Sequence, residues 1–143
     1  MPGLALASLG RETEAVAALR WRERETGETS VRLLLTSLRA LLEGEREESL
    51  AALNRVIGGR LDGEALYYLA RSYARLGDTA QALTLLERSV AGGFSCYQVF
   101  VSDQWLAPLA NDRRFTAVVD RAREVSAAAR HAYEGAGGRQ LVG

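Results

Sequence analysis

The sequence predicts an all-α fold, a short right-handed α-solenoid of about three helix–turn–helix repeats with a C-terminal capping helix. Alanine and leucine dominate, whereas isoleucine occurs once and proline twice, a composition that favours long helices over strands. No alternating apolar and polar segment extends beyond a few residues. Glycines followed by charged residues recur at Gly10, Gly44 and Gly77, which are spaced 34 and 33 residues apart. This period is the length of a helix–turn–helix repeat.

The chain of 143 residues is expected to form one domain. We expect the domain to span residues 1–134 and to be followed by a flexible tail over residues 135–143. The expected units are a partial repeat at about residues 1–26, repeats at 29–59 and 62–93, and an atypical closing unit at 94–134.

The third unit has the clearest pattern. Asp62 is a candidate N-cap, and the first helix extends from Glu64 to Gly77, which ends it. Asp78 is then placed to cap a second helix, which stops at Gly92-Gly93. The apolar positions that recur with helical spacing are Leu66, Leu69, Ala70 and Tyr73 in the first helix and Ala82, Leu83, Leu86 and Val90 in the second.

This unit resembles a tetratricopeptide repeat (TPR). The positions that carry the resemblance are Leu66, Leu69, Ala70, Tyr73, Gly77, Asp78, Ala82 and Leu86. The proline that ends the family pattern is replaced here by Gly92-Gly93-Phe94. The resemblance implies stacked helix pairs whose first helices line a concave surface, where this family usually holds an extended peptide or a partner's helix.

The two preceding units follow the same register more weakly. The second comprises Val31–Leu42 and Glu47–Ile57, joined around Gly44, with Thr29 or Ser30 as its cap. In the first, only the end of a leading helix, residues 4–9, precedes the returning helix at residues 13–25. The chain is therefore expected to begin inside a repeat, either as a fragment of a longer protein or with a native half-repeat as its cap.

The closing unit departs from the repeat pattern. A short apolar stretch, residues 94–100, is followed by a turn that Asp103 caps, and Asp112 then caps a long helix that ends near Tyr133. The next step of the glycine period falls at Asn111, which is expected to take the left-handed turn conformation.

Residues 103–115 resemble a segment that closes some bacterial TPR arrays, often in kinases, nucleotide cyclases and transcription regulators. Trp105 and Phe115 are expected to anchor this segment onto the last repeat. The absence of lysine is itself typical of a GC-rich bacterial genome.

Composition argues against several function classes. Eighteen arginines balance eighteen acidic residues evenly along the chain, which argues against a nucleic-acid or membrane partner. The single cysteine, Cys96, and the single histidine, His131, leave no constellation typical of a metal site or a catalytic pair, so we expect no cofactor and no enzyme activity. Cys96 is expected to be a buried, inert thiol and His131 an exposed residue near a helix end. No apolar run reaches membrane-spanning length, and residues 4–9 are too short for a signal-peptide core, so a cytoplasmic location is expected.

One half of the concave surface is predicted to be apolar. In the family register, the second unit presents Val31, Leu34, Leu38 and Leu41. Leaving four such side chains exposed would forgo roughly 6–12 kcal/mol, so something should cover them. The cover is either a partner helix or hydrophobic peptide, or else the chain's own N-terminal residues, its C-terminal helix or a second copy in a dimer.

The other half, on the third unit, is predicted to be mixed and basic. Its candidate contact residues are Tyr67, Tyr68, Arg71 and Arg75. Arg71 and Arg75 are four residues apart and share a helix face, so their guanidinium groups could hold a carboxylate or phosphate. The alternative is that Glu64, Asp78 or a neighbouring helix satisfies them.

The sequence therefore predicts a protein–protein interaction module that binds a peptide or partner helix in its concave groove. One alternative is a regulatory or spacer segment of a larger signalling protein. Another is a self-associating structural unit, a homodimer whose interface holds the leucines of the second unit.

Overall fold

Helices are the only regular secondary structure in the residues that the structure describes. The computed structural model describes residues 11–27 and 30–136, so the predicted leading helix at residues 4–9, the cap at Thr29 and residues 137–143 lie outside them. We number the helices α1 (Glu12–Glu25), α2 (Ser30–Leu42), α3 (Arg46–Ile57), α4 (Gly63–Arg75), α5 (Thr79–Ala91), α6 (Tyr97–Ser102), the 3₁₀ helix η1 (Gln104–Leu109) and α7 (Arg113–Gly135). The predicted all-α fold is confirmed.

Two helical hairpins, α2–α3 and α4–α5, form the centre of the molecule. Gly44 and Gly77 end the first helix of each hairpin with φ of +80° and +86°, a left-handed conformation that costs glycine least. In both, the amide after the glycine donates to a carbonyl five residues back, from Glu45 to Ala40 at 2.8 Å and from Asp78 to Tyr73 at 3.0 Å. This is the Schellman pattern, and it explains why the glycine period marks the turns.

The α4–α5 hairpin is held by its caps and by one close approach. Asp62 accepts from the amide of Ala65 at 2.8 Å, and Asp78 accepts from the amide of Gln81 at 3.1 Å, so both predicted N-caps are confirmed. At the open end, Ser89 Oγ donates to the carbonyl of Gly63 at 2.5 Å. A Cβ on Gly63 would lie 2.7 Å from the carbonyl oxygen of Ser89, so only glycine fits there.

The helices stack into an extended core with two apolar clusters. The larger cluster joins α3, α4, α5, η1 and α7, and the smaller joins α1, α2 and Trp105. Ala70 and Ala82, the small residues of the repeat pattern, are fully buried where α4 and α5 pack together. Because one hairpin cannot bury its apolar face alone, the stacking supplies the core.

An ion-pair network joins the first three helices. The guanidinium of Arg39 on α2 contacts the carboxylates of Glu23 at 2.7 Å, Glu43 at 2.5 Å and Glu48 at 2.7 Å. Glu43 is also paired with Arg20. The pKa of Glu43 is lowered by its hydrogen bonds to Arg20 and Arg39. Charged residues of the segments 20–25 and 45–48 therefore contribute to the packing of the first three helices.

The closing region follows the predicted order of elements but differs in two details. Asp112 caps α7 by accepting from the amide of Arg114 at 2.8 Å, as predicted. Asn111 is not in the left-handed region, because no non-glycine residue of the described chain has a positive φ; the chain enters α7 through the extended backbone of Asp112 instead. Cys96 is exposed rather than buried, because it lies in the turn before α6 while Phe100 takes the buried position.

Helix α7 packs against α5 and α6 with its first half only. Phe115, Val118, Val119 and Ala122 are buried, whereas the residues from 127 to 136 are exposed, His131 among them. Ala129 is therefore exposed as well. Within the described residues, no helix has the length and apolar character needed to cross a membrane.

Candidate functional site

The concave side of α2 and α4 is partly filled by the chain itself. We call the segment Asp103–Leu109, which comprises η1 and its N-cap, the plug. Trp105 of the plug is 4% exposed and clusters with Leu35 and Leu38 of α2. Its ring lies under the guanidinium groups of two α4 residues, 4.1 Å from Arg71 Cζ and 5.3 Å from Arg75 Cζ, measured to the ring centroid. Stacking of this kind is favourable because the ring face is electronegative.

A buried carboxylate fixes the plug to α4. Asp103 accepts from Arg71 Nε at 2.7 Å and Nη2 at 3.2 Å, and also from the hydroxyl of Tyr67. The same carboxylate caps η1 by accepting from the amide of Trp105 at 2.9 Å. Both side chains of the ion pair are 5% exposed. Burial and the Asp103 carboxylate raise the pKa of Tyr67, so its hydroxyl remains a donor.

Arg75 is likewise engaged within the chain. Its guanidinium forms an ion pair with Glu12 of α1 at 2.8 Å, which links the first and third units across 63 positions of sequence. The anion site predicted from Arg71 and Arg75 is thus occupied by the chain's own Asp103 and Glu12. The sequence had proposed Glu64, Asp78 or a neighbouring helix as internal partners; the ion pairs in the structure are with Asp103 of the plug and with Glu12 of helix α1.

The eight predicted contact residues separate into three groups. Leu38, Tyr67 and Arg71 are buried, so this part of the predicted groove is closed to a partner. Leu41, which is partly buried, and Arg75, which is exposed, lie toward the C-terminal ends of α2 and α4. At the other ends of these helices lie Val31, which is 50% exposed, and the partly buried Leu34 and Tyr68.

Burial energies indicate that the plug is permanent. It carries Trp105, Leu106 and Leu109, all buried, and Phe100 of α6 is buried beside them. At roughly 1.5–3 kcal/mol for each large side chain, exposing these four would cost on the order of 6–12 kcal/mol. That is comparable to the whole stability of a typical domain. A peptide is therefore not expected to displace the plug.

The N-terminal ends of α2 and α4 form a separate surface, which we call the mouth: Val31, Leu34, Glu64 and Tyr68. The 33-residue offset between the turn glycines makes Val31 and Glu64 equivalent positions on neighbouring helices. Leu34 and Tyr68 pack against the same apolar cluster. Burial together with the nearby charge of Glu64 raises the pKa of Tyr68.

Aromatic rings continue beneath the mouth. The Tyr67 ring lies 5.3 Å from that of Tyr68 and stacks on Phe94 at 5.2 Å, centroid to centroid. Phe100 lies 5.6 Å from Tyr67 on the buried side. Such tilted and stacked pairs are favourable arrangements of aromatic quadrupoles, so packed aromatic rings support Tyr68 at the mouth.

Sequence reasoning missed Asp103 as a member of this site. It assigned Asp103 the local role of capping the following turn, which is confirmed, but not the ion pair with Arg71, 32 residues away. The available signal was the pair of arginines on one helix face beside tyrosines, which predicts an acidic partner. Nothing in the local sequence identified which acidic residue that partner would be.

Comparisons with known proteins agree with the repeat pattern. The family model described as tetratricopeptide repeat matches residues 64–91, which cover most of α4 and all of α5. Repeats of this family are in general protein–protein interaction modules and are typically non-catalytic. The searches of curated proteins and of solved structures gave no match.

Proposed function

Since residues 64–91 are a tetratricopeptide repeat, we propose that this chain binds an apolar segment of a partner protein at the mouth. Val31 carries the proposal, because it is a large apolar side chain, half exposed, on the same face of α2 as the partly buried Leu34. Covering Val31 would gain part of the roughly 1.5–3 kcal/mol available for a fully buried side chain of this size.

The plug supports this position for the partner. Leu38, Tyr67 and Arg71 are held in place by Trp105 and Asp103 and form the fixed base of the mouth. A surface whose side chains are already ordered loses less conformational entropy on binding. The partner segment therefore lies at the N-terminal ends of α2 and α4, next to the plug rather than in its place.

A selection from a random peptide library displayed on phage tests the proposal. The wild-type chain, Val31→Asp and Ala129→Asp would each be immobilised, with circular dichroism to verify the helical fold. Ala129 lies on the exposed second half of α7, so its variant is the matched control for a surface charge. We expect the wild type and Ala129→Asp to enrich a common family of apolar peptides that Val31→Asp does not enrich.

The strongest enriched peptide would then be synthesised and titrated by calorimetry. We expect Val31→Asp to weaken its binding at least ~10-fold, since a charge would have to be desolvated at the contact. Equal enrichment on all three proteins, or equal affinity of the wild type and Val31→Asp, would show that the mouth is not the binding surface.

A further inference from the structure

We infer that the mouth selects a segment in which a basic side chain accompanies the apolar ones, so the partner is a basic, apolar peptide. The inference rests on the proposed function and adds the charge of the partner. The two arginines of α4 had suggested an acidic partner. The inference is the opposite charge, because acidic residues of the chain already pair with both arginines.

The charge balance of the concave side carries the argument. Arg71 is paired with Asp103, and Arg75 with Glu12. Glu64 is exposed at the mouth, and within residues 11–27 and 30–136 it forms no ion pair with an arginine. The unmatched charge that the mouth presents to a partner is therefore negative.

The neighbours of Glu64 are suited to a cation. Tyr68 lies four residues further along α4 on the same helix face and is partly exposed, and the nearby charge of Glu64 contributes to the raised pKa of Tyr68. A lysine or arginine of the partner can contact the carboxylate with its charge and the ring with its face and aliphatic stem. An acidic side chain would be repelled by the carboxylate of Glu64.

Val31 sets the spacing between the two kinds of contact. It occupies on α2 the position that Glu64 occupies on α4, and the two helices pack side by side. Adjacent helix axes are about 8–10 Å apart. A partner in helical form meets both with side chains one to two turns apart, and an extended one with side chains about three residues apart.

The same peptide selection tests the inference with Glu64→Arg and with Asp120→Arg as its matched control. Asp120 is exposed on α7, so its reversal changes net charge equally without touching the mouth. We expect wild type and Asp120→Arg to enrich peptides with lysine or arginine within four residues of a bulky apolar residue. Glu64→Arg should enrich acidic, apolar peptides instead.

Affinity measurements sharpen the result. For the strongest wild-type peptide, Glu64→Gln should weaken binding about 2- to 5-fold, the range of one exposed ion pair or cation–π contact. Added salt should lower the affinity of the wild type more than that of Glu64→Gln.

Each outcome separates the inference from the proposed function. Apolar peptides without a basic preference, or the same peptides on Glu64→Arg as on the wild type, overturn the inference and leave the binding surface intact. Peptides that are enriched no better on the wild type than on Val31→Asp overturn both.

Discussion

Removing the carboxylate of Asp103 should destabilise the whole fold. Asp103→Ala removes the carboxylate that pairs with the guanidinium of Arg71, which is 4% exposed, and deprives the Tyr67 hydroxyl of its acceptor. Breaking a buried ion pair by removing one partner typically costs about 3–5 kcal/mol. The unfolding entropy is ~2.1 cal/mol/K per residue, or ~0.3 kcal/mol/K for 143 residues, so Tm should fall by ~10–17 °C.

Thermal and urea unfolding followed by circular dichroism measure this loss. Asp120→Ala, on the exposed face of α7, is the control and should leave Tm unchanged. The triple variant Tyr67→Phe, Arg71→Met, Asp103→Leu replaces the polar cluster with apolar groups and should recover more than half of the lost stability. A Tm decrease below ~3 °C for Asp103→Ala would contradict this prediction, since the loss of a buried ion-pair partner should cost more than that.

Three further predictions concern other parts of the fold. Gly63→Ala should lower the free energy of unfolding, measured with urea, by about 1–3 kcal/mol, because its Cβ would clash with backbone atoms. Gly135→Ala, whose Cβ would lie in open space, should not lower it. Arg39→Met should lower Tm, chiefly at low salt. It should also reduce the loss of stability in acid, because the lowered pKa of Glu43 stabilises the fold at pH values above the ordinary pKa of a glutamate, and this contribution disappears as the pH falls. Arg121→Met, which removes only an exposed ion pair, should change Tm little. The raised pKa of Tyr67 means that the unfolded chain ionises first, so the free energy of unfolding should fall as pH rises above about 10, and less so in Tyr67→Phe.

The hairpins were predictable because their signals are local. Gly44 and Gly77 occupy left-handed turns, and Asp62 and Asp78 cap helices through bonds that span three residues. These choices depend on neighbouring residues, so the sequence period and the caps were sufficient to find them. The same holds for Asp112 at the start of α7.

The filled groove was not predictable in the same way. The pattern identified α2 as a helix whose apolar sides needed cover, and the internal alternatives were the N-terminal residues and the C-terminal helix, whereas Trp105 of the plug covers Leu35 and Leu38. Which part of the chain supplies the cover depends on the path of a six-residue 3₁₀ helix, which places Trp105 against Leu38. The exposed Cys96 and the turn at Asn111 were mispredicted for the same reason, since both lie where the chain leaves the repeat pattern.

If the plug fills the middle of the concave groove, the indole of Trp105 is shielded from solvent, and fluorescence quenching measures that shielding. Trp21 is 53% exposed and Trp105 is 4% exposed, so Trp21→Phe leaves a single buried indole as the reporter. Acrylamide quenching of this variant would be measured in buffer and again in denaturing urea, with circular dichroism to verify the fold. We expect blue-shifted emission and quenching several-fold weaker in the folded protein than in urea. Emission and quenching of a folded protein that match those of the unfolded chain would place Trp105 in solvent and contradict a filled groove.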